Sequence, residues 1–351
     1  MDKERMKSFS QQVFRDMAGG MTAGLAYLGT TTGLFRAMAG QGPMTATQVT
    51  AASGLQPRYV EEWLKGMAAG GYLDYHPELG TFALPDEHAY FLASDDTDHF
   101  MGGLFYALPG FVGQAPQVAR AFREGGGVPF DAFGEEAVTS IDLSNRGAYE
   151  HRFASQWLPA VPDAVAALEA GGQALDFGCG VGRVSLALAR AFPKARFMGL
   201  DLHEGSIRRA QAAAAEAGLA QRVEFRAQPI EALEPALRFD LITACDCIHD
   251  LPDPVPVLRE VRARLAPQGV LFLVELKAGD RLEENLHPIG AMFYGFSLFH
   301  CLTQAMARGG TGLGNSLGPA RVGALMREAG FGRCELLEIR SSINHFYAVR
   351  P

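Results

Sequence analysis

Gln173-Ala-Leu-Asp-Phe-Gly-Cys-Gly-Val-Gly-Arg183 is the stretch whose reading decides the fold. Ala174 to Phe177 is the short apolar run of a buried strand, and an amphipathic helix is expected from Val184 to Phe192. Between them stand Gly178, Gly180 and Gly182, alternate glycines that permit positive φ and let a ligand approach the backbone. Asp176 falls at the strand's end, where an open α/β sheet places its ligands. The run Arg196-Phe-Met-Gly-Leu-Asp201 reads as a second strand ending in an acid, 19 residues after Gly182. An acid at that point accepts hydrogen bonds from both hydroxyls of a ribose. A dinucleotide loop would instead read Gly-x-Gly-x-x-Gly, which argues against a nicotinamide cofactor.

Downstream, strands are expected at Val223 to Phe225, Phe239 to Cys245, Val270 to Glu275, Cys334 to Arg340 and His345 to Val349. Helices fill the gaps at Glu204 to Ala217, Pro254 to Leu265 and Val322 to Ala329, and Ala266-Pro-Gln-Gly269 reads as a turn. Strands alternating with helices, then a closing pair, predict a mainly parallel seven-stranded sheet with an antiparallel edge.

Upstream, two helices are expected between Asp2 and Ala39, with Gly24, Gly29 and Gly33 allowing close packing within a core or across a dimer. Thr45 caps a helix through Ala52, Pro57 opens one through Ala69, and strands follow at Tyr72 to Tyr75 and Thr81 to Leu84. That order is a winged-helix arrangement. On its second helix Arg58 and Lys65 stand against Glu61 and Glu62, poor equipment for phosphates. Asp86 to Phe122 reads as helix broken at Pro109, Gly110 and Pro116, Gly125 to Arg146 as a loop or linker, and helices are expected at Tyr149 to Trp157 and Asp163 to Ala170. The expected domains are 1–95, helical and winged-helix; 96–172, a helical connector on the substrate side; and 173–351, with an insert at about 277–318.

With 351 residues, 48% hydrophobic and 20% charged, the chain reads as a globular protein of more than one domain. Its net charge of −8 argues against nucleic acid or an anionic membrane as main partner. Five cysteines without a Cys-x-x-Cys pair, and no secretory signal, suit a cytoplasmic protein with free thiols; no metal is expected. The apolar run from Ala291 to Met306 is too short and too polar for a membrane span.

On these motifs the chain resembles the class I S-adenosylmethionine-dependent methyltransferases. The likeness is carried by Asp176-x-Gly178-x-Gly180-x-Gly182, by Asp201, by Asp240 to Asp250, and by Leu258 to Gly269 before strand five. The resemblance implies a Rossmann-like domain, with Asp176, Gly178, Cys179, Gly180 and Gly182 at the methionine end. It further implies Asp201 on the ribose, Leu202 along the adenine, and Cys245 and Asp246 near the sulfonium. Where the family often has Gly-Asp facing the adenine amino group, this chain has Gln228 and Pro229. The preceding winged helix makes the whole similar to the small-molecule O-methyltransferases, plant-type and bacterial, in which that domain dimerises. The resemblance also covers Actinobacteria-like methyltransferases of unknown substrate with the same N-terminal architecture, whose later Gly-Gly-x-Gly-Leu-Gly stretch is matched by Gly309-Gly-Thr-Gly-Leu-Gly314.

In that family a His-Asp pair after strand four supplies the general base, and a glutamate ending strand five orients it. His249-Asp250 and Glu275 are the matching residues here. An imidazole with an ordinary pKa of about 6.5 suits removal of a hydroxyl proton. Tyr149, His287, Tyr294 and His300 are the substrate-side candidates, and Phe293, Phe296, Leu298 and Phe299 suggest an apolar or aromatic acceptor. The competing expectations are a cofactor-responsive winged-helix regulator that binds DNA, and a catalytically silent protein that keeps the cofactor pocket.

Overall fold

The computed structural model describes all residues, Met1–Pro351. The chain divides into two compact units, Met1–Pro109 with Thr139–Gly147, and Gly110–Val138 with Ala148–Pro351. The stretch expected as a connector, 96–172, is shared between them.

In the first unit α1 (Lys3–Thr31) and α2 (Leu34–Met38) precede β1 (Met44–Thr45), α3 (Ala46–Ser53) and α4 (Pro57–Ala69). The short strands β2 (Asp74–His76) and β3 (Thr81–Ala83) then join β1 in a three-stranded sheet, before α5 (Asp86–Leu92). This is the expected winged helix. Thr45 and Gln48 form a reciprocal capping box on α3, and Pro57 opens α4. Trp63 packs edge-on to Phe35 at 5.3 Å and donates its indole N–H to the Leu25 carbonyl at 2.8 Å. Gly29 has no side chain because a Cβ there would stand 2.5 Å from the Phe35 ring. That glycine serves the unit's own core. The first part of α1 is bare: every residue from Lys3 to Met21 is exposed, and only Ala26 and Gly29 are buried.

Helices α6 (Gly102–Gly113), α7 (Ala115–Glu124), α8 (Gly134–His151) and α9 (Pro162–Glu169) lead to the main sheet. Two expectations fail here. Pro109 lies inside α6 without ending it, and α8 occupies the second half of the expected loop at Gly125 to Arg146. Polar Thr139, Ser140, Ser144 and Asn145 masked the helical period, while Glu135 and Glu136 suit the first turn of α8.

The second unit is built on β4 (Gln173–Phe177), α10 (Arg183–Ala191), β5 (Arg196–Asp201), α11 (Glu204–Glu216), β6 (Val223–Ala227) and β7 (Phe239–Cys245). It continues through α12 (Pro254–Arg264), β8 (Leu265–Leu276), α13 (Pro288–Phe296), α14 (Leu302–Ala307), α15 (Pro319–Glu328), β9 (Arg333–Leu336) and β10 (Asn344–Arg350). The strand order is β6-β5-β4-β7-β8-β10-β9, and only β10 runs against the rest. The expected mainly parallel sheet with an antiparallel edge is present. The expected turn at 266–269 is instead an irregularity within β8, where pairing jumps from Phe239↔Leu265 to Leu241↔Val270. Apolar side chains cover both faces, with Leu241, Val270 and Phe272 in one cluster and Leu175, Ile242 and Leu273 in the other. Strand order reverses between β4 and β7, and a crevice at their carboxyl ends is where such a sheet binds its ligand.

Candidate active site

The turn after β4 has the conformation its glycines require. Gly178, Gly180 and Gly182 have φ of 67°, 52° and 81°. A Cβ on Gly182 would stand 2.5 Å from the Phe225 ring, whereas one on Gly180 would meet nothing within 4 Å. The backbone is therefore packed at the base of the turn and open at its crest. Gly180 donates its N–H to Asp201 Oδ2 at 2.9 Å, and His203 donates to Asp201 Oδ1 at 2.8 Å. Asp201 is thus held at the rim beside Leu202, which is 50% exposed.

Asp176, expected at the methionine end, is placed differently. Its register partner Thr243 donates Oγ1–H to Oδ1 at 2.9 Å, and Ser185 donates its hydroxyl and N–H to Oδ2 at 2.9 and 3.2 Å. Its side chain is turned inward, tying the start of α10 to the sheet. Burial pushes its carboxyl up to about 6, against the pull of those hydrogen bonds. Cys247 packs under the turn, where its Cβ would meet a side chain on Gly178 at 2.8 Å. Gln228 has Nε2 buried without a partner, and Pro229 beside it is exposed.

The end of β7 carries the acid–base groups. Asp246 is the only non-glycine residue with positive φ, at 50°, a strain that surrounding structure must hold. Tyr149 donates to its Oδ2 at 2.9 Å and Asn344 to its Oδ1 at 3.3 Å. Burial first, then the charge of Glu275, pushes the Asp246 carboxyl up to about 7. After Cys245 and Asp246 the chain makes a tight turn at Ile248–Asp250 that directs His249 back toward β8. There Glu275, fully buried, takes His249 Nδ1 at 2.5 Å and the Ile248 N–H at 3.2 Å. His249 Nε2 lies 3.5 Å from Asp250 Oδ1, which has no hydrogen-bond partner. Burial alone would lower the imidazole's pKa, but the carboxylates of Glu275 and Asp250 outweigh it and hold it well above the usual value.

Residues 168–304 match the family described as "Methyltransferase domain", and residues 20–94 match "Rv2258c-like winged HTH domain". In chain order, a winged-helix domain is followed by a methyltransferase domain. The ubiquinone biosynthesis O-methyltransferase of Bordetella avium (strain 197N) is 32% identical over 162 residues, 46% of this chain and 62% of that protein. The chain therefore spans less than two thirds of that relative's length. A putative O-methyltransferase from Nostoc punctiforme PCC 73102 has the same fold, with TM-score 0.71, 16% identity and complete coverage of both chains. Human N-acetylserotonin methyltransferase, solved in complex with SAM, gives TM-score 0.67 at 17% identity, over 100% of this chain and 98% of that one.

Within the methyltransferase domain the four substrate-side candidates have separate places. Tyr149 is on Asp246, beside the crevice. His287 is exposed and caps α13, its Nδ1 accepting the Gly290 N–H at 3.1 Å. Tyr294 lines a cavity of about 450 Å³ with Asp280, Arg281, Leu313, Ser316 and Arg321, which includes no residue of the glycine turn. His300 is buried near His249 and is 4.5 Å, ring to ring, from Phe111. Sequence reasoning missed Asn344, Ser185 and Thr243, which hold the acids, and Cys301, whose sulfur lies within 4.8 Å of the ligating atoms of His249 and Asp250. Thr243 was the findable one, since it stands in register with Asp176 on the neighbouring parallel strand.

Proposed function

We propose that this protein transfers the methyl group of S-adenosylmethionine to a hydroxyl of a small apolar or aromatic acceptor. The observation that carries the reading is the buried His249–Glu275 pair, whose histidine follows Cys247 where that residue packs against the glycine turn at Gly178. The residues fit the cofactor: Gly180 leaves room, Asp201 stands at the rim, and the Gln228 amide has an unused donor. Asp201, Leu202 and Gln228-Pro229 would hold the adenosine, and Gly178 to Gly182 with Cys245 and Asp246 would surround the methionine end. Bound cofactor supplies an electrophilic methyl group on a positively charged sulfur.

The chain's own task is to align the acceptor oxygen and remove its proton. Neutral His249 donates Nδ1–H to Glu275, which leaves the Nε2 lone pair facing Asp250 for that proton. Glu275 then stabilises the imidazolium. Because His249 holds its proton above the usual imidazole range, the competent neutral form grows with pH and turnover rises through and beyond neutrality.

Calorimetric titration with S-adenosylhomocysteine tests the cofactor; no heat at millimolar ligand sinks the reading. His249→Gln should bind S-adenosylhomocysteine as the parent does, yet lose about a hundred- to ten-thousandfold in methyl transfer to a panel of phenols. Unchanged transfer removes His249 as the base.

The same reading takes the protein as a homodimer. Met6, Phe9, Val13, Met17 and Met21 recur at helical spacing on α1 and are each at least half exposed, so a second copy is the partner that covers them. Sedimentation velocity of Phe9→Glu/Met17→Glu should show a monomer where the parent sediments as a dimer. Five free cysteines suit the cytoplasm. No helix is long and apolar enough to cross a membrane. DNA binding finds less support, because Arg58 pairs with Glu62 and Lys65 with Glu61 along α4.

A further inference from the structure

We propose that His300 is the acceptor-recognising residue: its Nε2–H donates to a carbonyl or comparable neutral oxygen on a planar aromatic acceptor. This rests on the methyltransferase reading and adds to it the chemical class of the acceptor.

Three independent features meet at His300. The first is backbone: Ser297–Cys301, between α13 and α14, is a π-helical turn, a rare geometry found frequently at functional sites. The second is enclosure. The rings of Phe111, Phe133 and Phe130 lie 4.5, 4.9 and 5.8 Å from the imidazole, and only 4% of the residue is exposed. Such a cage accepts a flat ring by edge or offset stacking. The third is an orphan: His300 Nε2 is buried and has no hydrogen-bond partner.

The orphan's chemistry follows from its neighbours. Gln304 Nε2 lies 3.2 Å from His300 Nδ1. An amide nitrogen has only hydrogens to give, so Nδ1 is the acceptor and the ring proton sits on Nε2. Burial, helped by the charge on His249, lowers the imidazole's pKa to about 3, so the ring stays neutral. A neutral N–H inside an aromatic cage suits a neutral oxygen.

Position joins this cage to the proposed chemistry. Phe130 is also 5.2 Å from the ring of His203, which follows Asp201 and Leu202 at the proposed ribose site. On the other flank His300 lies close enough to His249 to be affected by its charge. The covering segment is pinned where Val128 donates its N–H to Thr303 Oγ1 at 2.9 Å, and Gly127 admits no side chain, since a Cβ would fall 1.9 Å from the Thr303 carbonyl oxygen.

The test uses the full chain saturated with S-adenosylhomocysteine and two probes with the same carbon skeleton, para-hydroxyacetophenone and para-ethylphenol, which differ by the carbonyl oxygen. Calorimetry should show the parent preferring the ketone by roughly tenfold or more. His300→Phe, which keeps a ring and removes the N–H, should erase that preference while para-ethylphenol affinity stays within about threefold. His300→Gln, which keeps an N–H donor, should restore part of it. Equal affinity for the two probes in the parent, binding of neither, or a preference that survives His300→Phe overturns the inference. S-adenosylhomocysteine binding without a ketone preference discards this inference alone, whereas its failure to bind discards the methyltransferase reading.

Discussion

The two sides of the crevice between β4 and β7 are made by different means. On the proposed cofactor side the contacts are shorter in range and largely made by backbone: three left-handed glycines, and Asp201 accepting from the His203 N–H two residues on and from the Gly180 N–H 21 residues back. On the acceptor side they are long-range and carried by side chains. Tyr149 and Asn344 reach Asp246 across 97 and 98 residues of sequence, and His249 meets Glu275 across 26. The first kind of construction is cheap to hold without ligand. The second concentrates four ionisable groups, Asp246, His249, Asp250 and Glu275, in a poorly solvated space, so each depends on its partners.

That difference is most exposed at Glu275. Glu275→Gln leaves the buried His249 without its nearer carboxylate, and should cost about 3–5 kcal/mol in urea unfolding. Adding His249→Gln should recover part of the loss, because the pair then no longer contains an unmatched charge. A cost under about 1 kcal/mol would show that solvent reaches the pair, contrary to the burial seen.

The strongest counterpart on the cofactor side is steric. Gly182→Ala places a Cβ 2.5 Å from the Phe225 ring at a φ of 81°, and should lose about 2–4 kcal/mol by strain and overpacking together. Gly180→Ala has the same handedness problem but open space around it, so about 1 kcal/mol is expected. Its S-adenosylhomocysteine affinity should fall at least as far as that of Gly182→Ala, although its fold is the less damaged. Equal losses of stability in the two variants would break the distinction between a packed base and an open crest.

Titration separates the sides again. The folded Asp246 carboxyl, at about 7 against an ordinary 3.8, binds its proton more tightly than in the unfolded chain. Its contribution to stability is full below about 3.8 and is lost as pH rises through about 7. His249 works in the same direction at higher pH: its contribution is full below 6.5 and fades as pH passes the raised folded value. Asp246→Asn should therefore gain thermal midpoint relative to the parent as pH climbs from about 4 to about 8. Proposed turnover runs the opposite way, since the base needs the unprotonated imidazole. A parent and variant that track each other across that range would refute the Asp246 assignment.

Much of the fold was readable because its signals are local. Alternate glycines, Pro57 opening α4, Thr45 capping α3 and apolar runs of strand length all state a conformation within a few residues. The hidden helix α8 was the main failure, because its run of polar residues resembles that of a loop. At the site the sequence placed the components better than their orientation. Glu275 and His249 were paired by position and do meet, but nothing in the chain's order could show Asp176 turned inward onto Ser185 and Thr243. Nor could it show that Gln304 would orient His300, since that contact depends on a π-helical turn. Long-range side-chain networks depend on strand register and helix phase, which neither composition nor spacing records.

The gentlest probe of the comparison is Leu202, at the rim and half exposed. It packs against little in the protein itself, so Leu202→Ala should leave the unfolding midpoint within about 0.5 kcal/mol of the parent. Apolar area it loses to a bound adenine at about 25 cal/mol per Å² should still appear as a few-fold weaker binding of S-adenosylhomocysteine. An effect on binding without one on stability is what a locally built, preformed rim requires. If stability fell as well, Leu202 would belong to the core, and the cofactor side would be as dependent on distant packing as the acceptor side.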